Sequence, residues 1–325
     1  MTENRWVSAH AFYQGDQDHL LVNAVAPLTA ELTAEGRAHG WFFLRYWDGG
    51  PHVRLRVLPA GGVDPHELEK SIDERFHAYF RSHPSTAVLG PEDYAESAAT
   101  LADWEQTEPG FASLQPNDSL VHIPYRREHS RYGHGAAIEA VERHFVDSSE
   151  LAMRLLLRNA SARERSTAGC AMLLMAWLIC EPDLARLADR LSVGERPDGD
   201  APFPISEPTP DQVGKAVALA RQMRRLVASP RRHDAPGTLA DWARSVEALR
   251  DALQDQVGLG ALRPPAPGWE GPDGIATADR EAAVLSIVDL CAHLVCNRLA
   301  VSLPEEISLR RLAGAAVAFL AEREG

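Results

Sequence analysis

The sequence predicts an α+β fold, with a small β-sheet and several helices in the amino-terminal half packed on a mostly helical carboxyl-terminal half. Two observations support this division. Alternating and β-rich runs lie before about residue 135, whereas apolar residues recur at helical spacing beyond Gly133. No linker-like segment separates the two parts. We therefore expect a single domain over residues 1–325, with an α+β part over about 1–135 and a helical part over about 136–325.

The individual elements follow from periodicity and from capping residues. Arg5–Tyr13 and Leu120–Pro124 alternate as strands do, and Asp16 is placed to cap a helix that Pro27 kinks or splits. Further helices are predicted at Asp64–Arg81, within Gly90–Gly110, and at Ala136–Val146, Ser149–Arg158, Glu164–Cys180, Asp183–Leu191, Asp211–Val227, Leu239–Val257, Ala278–Leu299 and Glu305–Glu322. The Pro/Gly-rich stretches Arg196–Pro210 and Arg263–Gly274 are predicted loops, either lids over a long substrate or disordered.

A hairpin is predicted between the runs Trp41–Trp47 and His52–Leu58. The connecting residues 48–51 read Asp-Gly-Gly-Pro, and glycine accepts the positive φ that a tight turn requires. Side chains alternate across a strand, so His52, Arg54 and Arg56 point to one face, opposite Val53, Leu55 and Val57. The second strand therefore carries three cationic or ionisable side chains in a row.

Composition limits the possible functions. The net charge of −13 argues against nucleic-acid binding by the whole surface. No apolar run approaches the roughly 20 residues of a membrane span, and no signal-like segment follows Met1, so we expect a soluble, cytoplasmic protein without a membrane partner. The four cysteines lie in apolar helical stretches without Cys-x-x-Cys spacing, which favours buried reduced thiols. Nucleotide, phosphate-loop and hydrolase motifs are missing, and histidine spacing suggests no metal site.

Three segments concentrate polar residues, and each allows a structural reading beside a functional one. The hairpin face with Arg45 on the paired strand is by itself typical of a solvated edge. Residues 125–135 place ionisable groups and two glycines before a helix, which suits either anion binding or a salt-bridged loop. His293 and Asn297 share one face of an apolar helix and need partners there, because an unsatisfied buried group costs about 1–3 kcal/mol.

Taken in order, these segments resemble the carboxyl-terminal domain of class I lantibiotic dehydratases and its free-standing relatives, the thiopeptide-type bacteriocin biosynthesis proteins. The resemblance spans nearly the whole chain. It rests on residues 41–56, on Tyr125, Glu128, Arg131, Tyr132 and Gly133, on the helix segment His144–Ser149, and on His293, Asn297, Arg298 and Leu299.

The resemblance implies one of two activities. One eliminates glutamate from glutamylated Ser or Thr and leaves a dehydroamino acid. The other joins two dehydroalanines of a thiazole-bearing peptide by a formal [4+2] aza-cycloaddition, with loss of water and of the leader peptide to give a pyridine. Both bind an extended precursor peptide through its leader and need no metal, nucleotide or other cofactor. Other enzymes of the same pathway and a second copy of the chain, as a homodimer, are further candidate partners.

The resemblance also suggests roles for particular residues. In an elimination, Arg54, Arg56 and Arg131 would hold the glutamyl carboxylate and His293 would remove the α-proton. In a cycloaddition, Tyr125, Tyr132, Arg131, His293 and Asn297 would carry protons or position the reacting groups, while His52, Arg54, Arg56, Arg45 and Arg298 bind the peptide.

The turn favours the cycloaddition. Elimination domains have an Asp-Pro-like hairpin turn, whereas Trp47-Asp48-Gly49-Gly50-Pro51 is similar to the turn of the free-standing pyridine-forming branch. The start at Met1, close to the first strand, leads us to expect no fused dehydratase domain. Split elimination proteins are an open alternative, as is an inert member that only binds leader peptides.

Overall fold

The computed structural model describes residues 6–87, 89–105, 110–111, 113–192, 208–232, 234, 236–262 and 280–324. Two compact units divide the chain. Unit 1 comprises residues 1–127 and 152–159, and unit 2 comprises residues 128–151 and 160–325. Strands lie in unit 1 and most of the helical residues in unit 2, which confirms the α+β class.

A four-stranded antiparallel sheet forms the centre of unit 1. Its strands are β1 (Val7–Phe12), β2 (Ala38–Tyr46), β3 (His52–Pro59) and β4 (Ser119–His122), in the order β2-β3-β1-β4. The predicted hairpin is confirmed, since β2 pairs with β3. The other two predicted strands are also present, and β1 lies between β3 and β4.

Helices of unit 1 pack against one face of this sheet. The described helices of this unit are α1 (Gln17–Leu20), α2 (Ala26–Ala34), α3 (Pro65–Ser82) and α4 (Pro91–Glu105). α2 packs against β2 and α3 against β1, β3 and β4. The apolar side chains of this face and of α3, including Leu55, Val57, Leu68 and Ile72, are fully buried. Burial of this apolar area is the main stabilising contribution to the unit.

The predicted break at Pro27 is confirmed, and it takes the form of a π turn. Asp16 caps α1 through its side chain, and a π turn over Leu21–Val25 then separates α1 from α2. The amide of Ala26 donates to the carbonyl of Leu21, five residues earlier. Because proline has no N–H to continue the ladder of hydrogen bonds, the change of pitch occurs directly before Pro27.

Unit 2 is built from helices around one buried helix. Its elements are α5 (His129–Tyr132), α6 (Ala136–Leu157), α7 (Ala162–Cys180), α8 (Leu184–Ser192), α9 (Pro210–Ala228), α10 (Thr238–Gly258), α11 (Arg280–Arg298) and α12 (Leu303–Glu324). The central helix α7 packs against α9, α10, α11 and α12, and nearly every residue of its second half is buried.

One helix assignment was wrong. The predicted helices Ala136–Val146 and Ser149–Arg158 form the single helix α6, whose last residues belong to unit 1. Ser148 does not interrupt the helix, because its hydroxyl donates to the carbonyl of Phe145 within the helix and the side chain is buried. The predicted loops Arg196–Pro210 and Arg263–Gly274 lie, apart from residues 208–210, outside the described residues.

No single helix in the described ranges is long and apolar enough to cross a membrane, and only α7 and α8, bent by 114° at their junction, meet that criterion together by length and composition. The four cysteines are free thiols, and Cys170, Cys291 and Cys296 are buried as predicted. Burial raises the pKa of Cys170 to about 11, as expected of an unreactive core thiol.

Candidate functional site

The polar face of the sheet lies opposite the helices of unit 1. Direct register partners share a face, and His52, Arg54 and Arg56 pair with Phe12, His10 and Ser8 of β1. His52 and Arg56 are buried, and Arg54 is half-buried. The alternation of β3 therefore produces the predicted polar row, and β1 adds His10 to it.

Each of the two arginines donates a hydrogen bond to a histidine. Arg54 Nε lies 3.1 Å from His52 Nε2, and Arg56 Nη2 lies 3.3 Å from His10 Nε2. His52 Nδ1 lies 2.8 Å from the carbonyl oxygen of Gly50 and donates to it. A guanidinium cannot accept a hydrogen bond, so both Nε2 atoms are acceptors and both rings are neutral.

Burial and positive charge keep these histidines unprotonated. Burial, followed by the charge of Arg54, lowers the pKa of His52 to about 3. Burial, followed by Arg56 and Arg54, also lowers the pKa of His10 far below its ordinary value. The two rings stack with their centroids 5.0 Å apart. At neutral pH both rings are therefore neutral, and each accepts a hydrogen bond from an arginine.

Aromatic side chains enclose the guanidinium groups. Arg54 lies over the ring of Tyr46, 3.4 Å from its centroid, and Arg56 lies 5.6 Å from the centroid of Tyr125. Such cation–π contacts contribute about 0.5–2 kcal/mol each. The structure thus groups Tyr125 with His52, Arg54 and Arg56, although β4 ends before Tyr125.

Arg45 lies on the other face of the sheet. Its register partner is Val53, whose side chain points toward the helices. Arg45 Nη2 lies 2.5 Å from Asp18 Oδ1 of α1. The position of one residue in the alternation decides the face, so Arg45 does not join the polar row. Its predicted role in peptide binding stays a prediction.

The hairpin turn is tied to a neighbouring segment. The buried carboxylate of Asp48 accepts hydrogen bonds from the amides of Gly110 and Phe111, at 2.9 and 3.2 Å. Gly49 and Gly50 both have positive φ, at 84° and 107°. A Cβ on Gly49 would lie 2.9 Å from the ring of Phe111, so glycine is required there for conformation and for space.

The second polar segment, residues 125–135, continues into unit 2, where it forms the short helix α5 and packs on α6 through Tyr132. Arg131 pairs with Glu128 at 3.0 Å, in an exposed ion pair. The buried ring of Tyr132 meets Phe145 edge-on at 5.5 Å, and the guanidinium of Arg298 lies 5.3 Å from the Phe145 centroid. Arg298 is fully buried, and burial lowers its pKa to about 10. These contacts make Arg298 part of the packing around α6, and its predicted role in peptide binding stays a prediction.

The third polar segment is part of a buried chain of charges between α11 and α12. His293 Nδ1 lies 2.8 Å from Glu306 Oε2, whose other oxygen accepts from Arg310 Nε at 2.9 Å. Arg310 Nη1 then reaches Asp289 at 2.7 Å, and the indole N–H of Trp177 donates to the same Asp289 oxygen at 2.7 Å. Asn297 lies one turn beyond His293 on α11.

Unit 2 also contains a buried histidine, His144 of α6. His144 Nδ1 lies 2.8 Å from Ser245 Oγ, which donates to Asp147 at 2.6 Å. Burial, followed by the charge of Arg298, lowers the pKa of His144 to about 3. No described residue forms a hydrogen bond with its Nε2 atom.

A family model described as "Lantibiotic biosynthesis dehydratase C-term" matches residues 6–317. This match covers nearly the whole chain. The chain belongs to the lantibiotic dehydratase C-terminal family. No curated protein sequence matches the chain.

Solved structures share the fold of this family member. A pyridine synthase, TbtD, from thiomuracin biosynthesis has a TM-score of 0.72 and 16% identity, over 98% of this chain and 99% of that chain. TsrL has a TM-score of 0.62 and 18% identity, over 98% and 95%. The tRNA-dependent lantibiotic dehydratase MibB from Microbispora sp. 107891 has a TM-score of 0.58 and 22% identity, but this chain corresponds to only 29% of its length.

The predicted site residues of this family member cluster around β3 in unit 1, with Arg45 on the opposite face, whereas in unit 2 they lie around Phe145 and around His293. The sequence-based prediction missed partners in both units. His10 was missed because it lies in a different strand, and only the pairing of β1 with β3 places it beside Arg56. Glu306 and Arg310 were missed although a signal existed. Asp289 and His293 are four apart on α11, and Glu306 and Arg310 are four apart on α12, so each apolar helix carries a polar stripe.

Three or more His, Cys, Asp or Glu side chains do not come together as a metal-binding group anywhere in the described ranges.

Proposed function

We propose that this chain matures a ribosomally made peptide by a formal [4+2] aza-cycloaddition between two dehydroalanines. The reaction forms a pyridine ring with loss of water and of the leader peptide. The observation that supports it best is end-to-end correspondence with the pyridine synthase, which covers 98% of this chain and 99% of that one. The dehydratase, by contrast, corresponds to this chain over 29% of its length.

The polar face of unit 1 suits peptide binding. Arg54 and Arg56 are held by neutral histidines, and their planar forks are donors for peptide carbonyl or leader carboxylate oxygens. The partner that we propose is therefore the modified precursor peptide with its leader. Fixing two alkenes in a reactive arrangement is the principal requirement of the reaction, and positioning of this kind contributes about 7–11 kcal/mol in favourable cases.

Unit 2 carries the groups proposed for proton transfer. One amide must become an iminol before the ring forms, so the proton on its nitrogen moves to its oxygen. His293 would accept that proton and return it to the oxygen, with Tyr132 and Asn297 as positioning groups. His293 is half-exposed and bonded to a buried carboxylate, which suits a group that exchanges protons.

The test is to incubate the protein with a dehydrated, thiazole-bearing precursor peptide and to follow the products by mass spectrometry and absorbance. Loss of the leader and of water, together with a pyridine chromophore, is the expected result. If the same protein leaves this peptide unchanged but removes glutamate from a glutamylated precursor, the cycloaddition proposal is wrong.

Glutamate elimination is the second candidate, and one observation favours it. Sequence identity is 22% to the dehydratase and 16% to the pyridine synthase. In this reaction His293 takes the α-proton, a carbon–carbon double bond forms, and the carbon–oxygen bond breaks to release glutamate as its carboxylate. Arg54, Arg56 and Arg131 would hold the glutamyl side chain. If neither peptide is converted, although the reconstituted pathway still needs the chain, a role limited to leader binding is supported.

A further inference from the structure

We infer that Glu306 is a positioning residue that holds His293 with a proton on Nδ1, so that Nε2 is the nitrogen that exchanges protons with the substrate. Arg310 and Asp289 fix Glu306 in turn. The effect of Glu306 on turnover rests on the proposed function, because it requires His293 to transfer a proton, as it does in both candidate reactions. The geometry on which it stands lies wholly within unit 2 and does not depend on the reaction.

The contact between His293 and Glu306 has the form of a carboxylate–histidine dyad. Nδ1 and Oε2 are 2.8 Å apart, and the side chain of Glu306 is 2% exposed, whereas that of His293 is 25% exposed. The carboxylate therefore lies in the interior, whereas part of the His293 side chain is exposed. With Nδ1 bonded to Glu306, any proton that the ring exchanges with another partner passes through Nε2.

The surroundings keep Glu306 ionised. Burial by itself opposes ionisation, but the charges of His293 and Arg310 and the hydrogen bonds from both outweigh it, so the pKa of Glu306 is lowered. Burial also opposes the charge of Arg310 and would by itself lower the pKa of that group. The charges and hydrogen bonds of Asp289 and Glu306 outweigh this effect and raise the pKa of Arg310 above its ordinary value. Glu306 thus lies between His293 and Arg310, and Arg310 lies between two carboxylates. An ionised Glu306 can only accept hydrogen bonds.

Arg310 determines what the isosteric variant Glu306→Gln would do. The arginine must donate from Nε, at 2.9 Å, to whatever atom occupies the position of Oε1. The amide oxygen of glutamine would therefore face Arg310, and its NH₂ group would face His293. Nδ1 would then have to accept, and the proton of the neutral ring would move to Nε2. The substitution keeps the shape of the side chain and inverts the tautomer.

The direct test is the tautomer of His293, measured by two-bond nitrogen–proton correlation spectra on protein labelled with ¹⁵N-histidine. The sequence has 13 histidines, and the signals of His293 are identified by their loss in His293→Gln. At a pH where the ring is neutral, we expect the proton on Nδ1 in the wild type and on Nε2 in Glu306→Gln. A wild-type ring protonated on Nε2 overturns the inference, whether or not the variant folds.

Turnover gives the second readout. A correctly folded Glu306→Gln should lose roughly 10²–10⁴-fold in kcat with little change in KM, because the nitrogen that must accept a proton already carries one. The matched control is Glu305→Gln. That neighbour loses the same charge, but its carboxylate accepts from Ser166 Oγ at 2.5 Å and not from a proposed site residue. We expect its kcat and its His293 tautomer to match the wild type.

The outcomes separate the two proposals. A proton on Nδ1 without any detectable conversion of either peptide supports the positioning role and contradicts the proposed function. Detectable conversion that is unchanged in a folded Glu306→Gln contradicts the positioning role and leaves the proposed function in place. Equal losses in Glu305→Gln and Glu306→Gln indicate a general effect of charge at the start of α12 and also overturn the inference.

Discussion

Arg54 and Arg56 share one kind of contact, a hydrogen bond to a histidine ring. Each donates to the Nε2 atom of a neutral histidine, and this contact orients the guanidinium without cancelling its charge. A carboxylate in the same place would orient the arginine equally well but would neutralise it. Neutral histidine is therefore a suitable positioning group where an arginine has to bind an oxygen of a peptide.

Arg56→Lys tests whether the geometry of the guanidinium, beyond its charge, matters. Lysine keeps the charge but loses the planar fork that reaches His10, so we expect kcat/KM to fall about 10- to 100-fold, the equivalent of one charged hydrogen bond. Arg37→Lys is the control, because Arg37 bonds Ser71 and the carbonyl of Glu67 away from the polar face. The peptide conversion assay measures both variants. Unchanged turnover in Arg56→Lys would show that charge alone suffices.

At the scale of elements, the turn between β2 and β3 links the polar row to residues far along the chain. Asp48 holds the amides of Gly110 and Phe111, and the carbonyl of Gly49 accepts from the amide of Gln115 at 2.8 Å. His52, the first residue of β3, is in turn bonded to the carbonyl of Gly50. A change in the turn should therefore alter the start of the polar row as well as stability.

Gly49→Ala and Gly62→Ala separate backbone strain from crowding. The two glycines have nearly equal φ, at 84° and 86°, but a Cβ on Gly62 meets nothing within 4 Å, whereas one on Gly49 meets Phe111 at 2.9 Å. Both variants should lose about 1–2 kcal/mol from the left-handed conformation. Gly49→Ala should lose about 1–3 kcal/mol more from overpacking. Urea unfolding measures the free energies, and equal losses would mean that the Phe111 contact relaxes without cost.

Local pattern predicted the elements well because each depends on short-range physics. Alternation in β3 placed three polar side chains on one face, and Pro27 marked the break between α1 and α2. Prediction failed where one local pattern is compatible with two structures. Two serines suggested a helix end but lie inside α6, and Arg45 appeared beside Arg54 in the hairpin although its register partner Val53 faces the helices.

The candidate site was predictable only in part, because its partners are distant in sequence. The polar stripe of α11 indicated that His293 requires a partner, and α12 carries a polar stripe too, but only packing shows that Glu306 of that next helix is the partner. In the same way His10 is 46 residues from Arg56 and reaches it only through strand pairing. Sequence patterns indicate which side chains need partners, whereas tertiary packing decides which partners they find.

At the scale of the whole molecule, buried neutral histidines make stability depend on pH. Burial lowers the pKa of His52 in unit 1 and of His144 in unit 2 to about 3 in each case, and that of His10 further. In the unfolded chain each has an ordinary value of about 6.5. Below that pH the unfolded state binds protons that the folded state does not, so acid favours unfolding.

The resulting prediction concerns the slope of stability against pH. Stability should be at its full value above pH 6.5 and should fall between pH 6 and 4 by about 1.4 kcal/mol per pH unit for each such histidine. His144→Gln removes one of these titrating histidines and keeps a polar group near Ser245. The slope of stability against pH should therefore decrease by about 1.4 kcal/mol per pH unit. His39→Gln, at an exposed position of β2, should leave the slope unchanged. Urea unfolding at pH 6.5, 5.5 and 4.5 measures each free energy. A slope that is the same in His144→Gln and in the wild type would mean that His144 is already protonated in the folded protein.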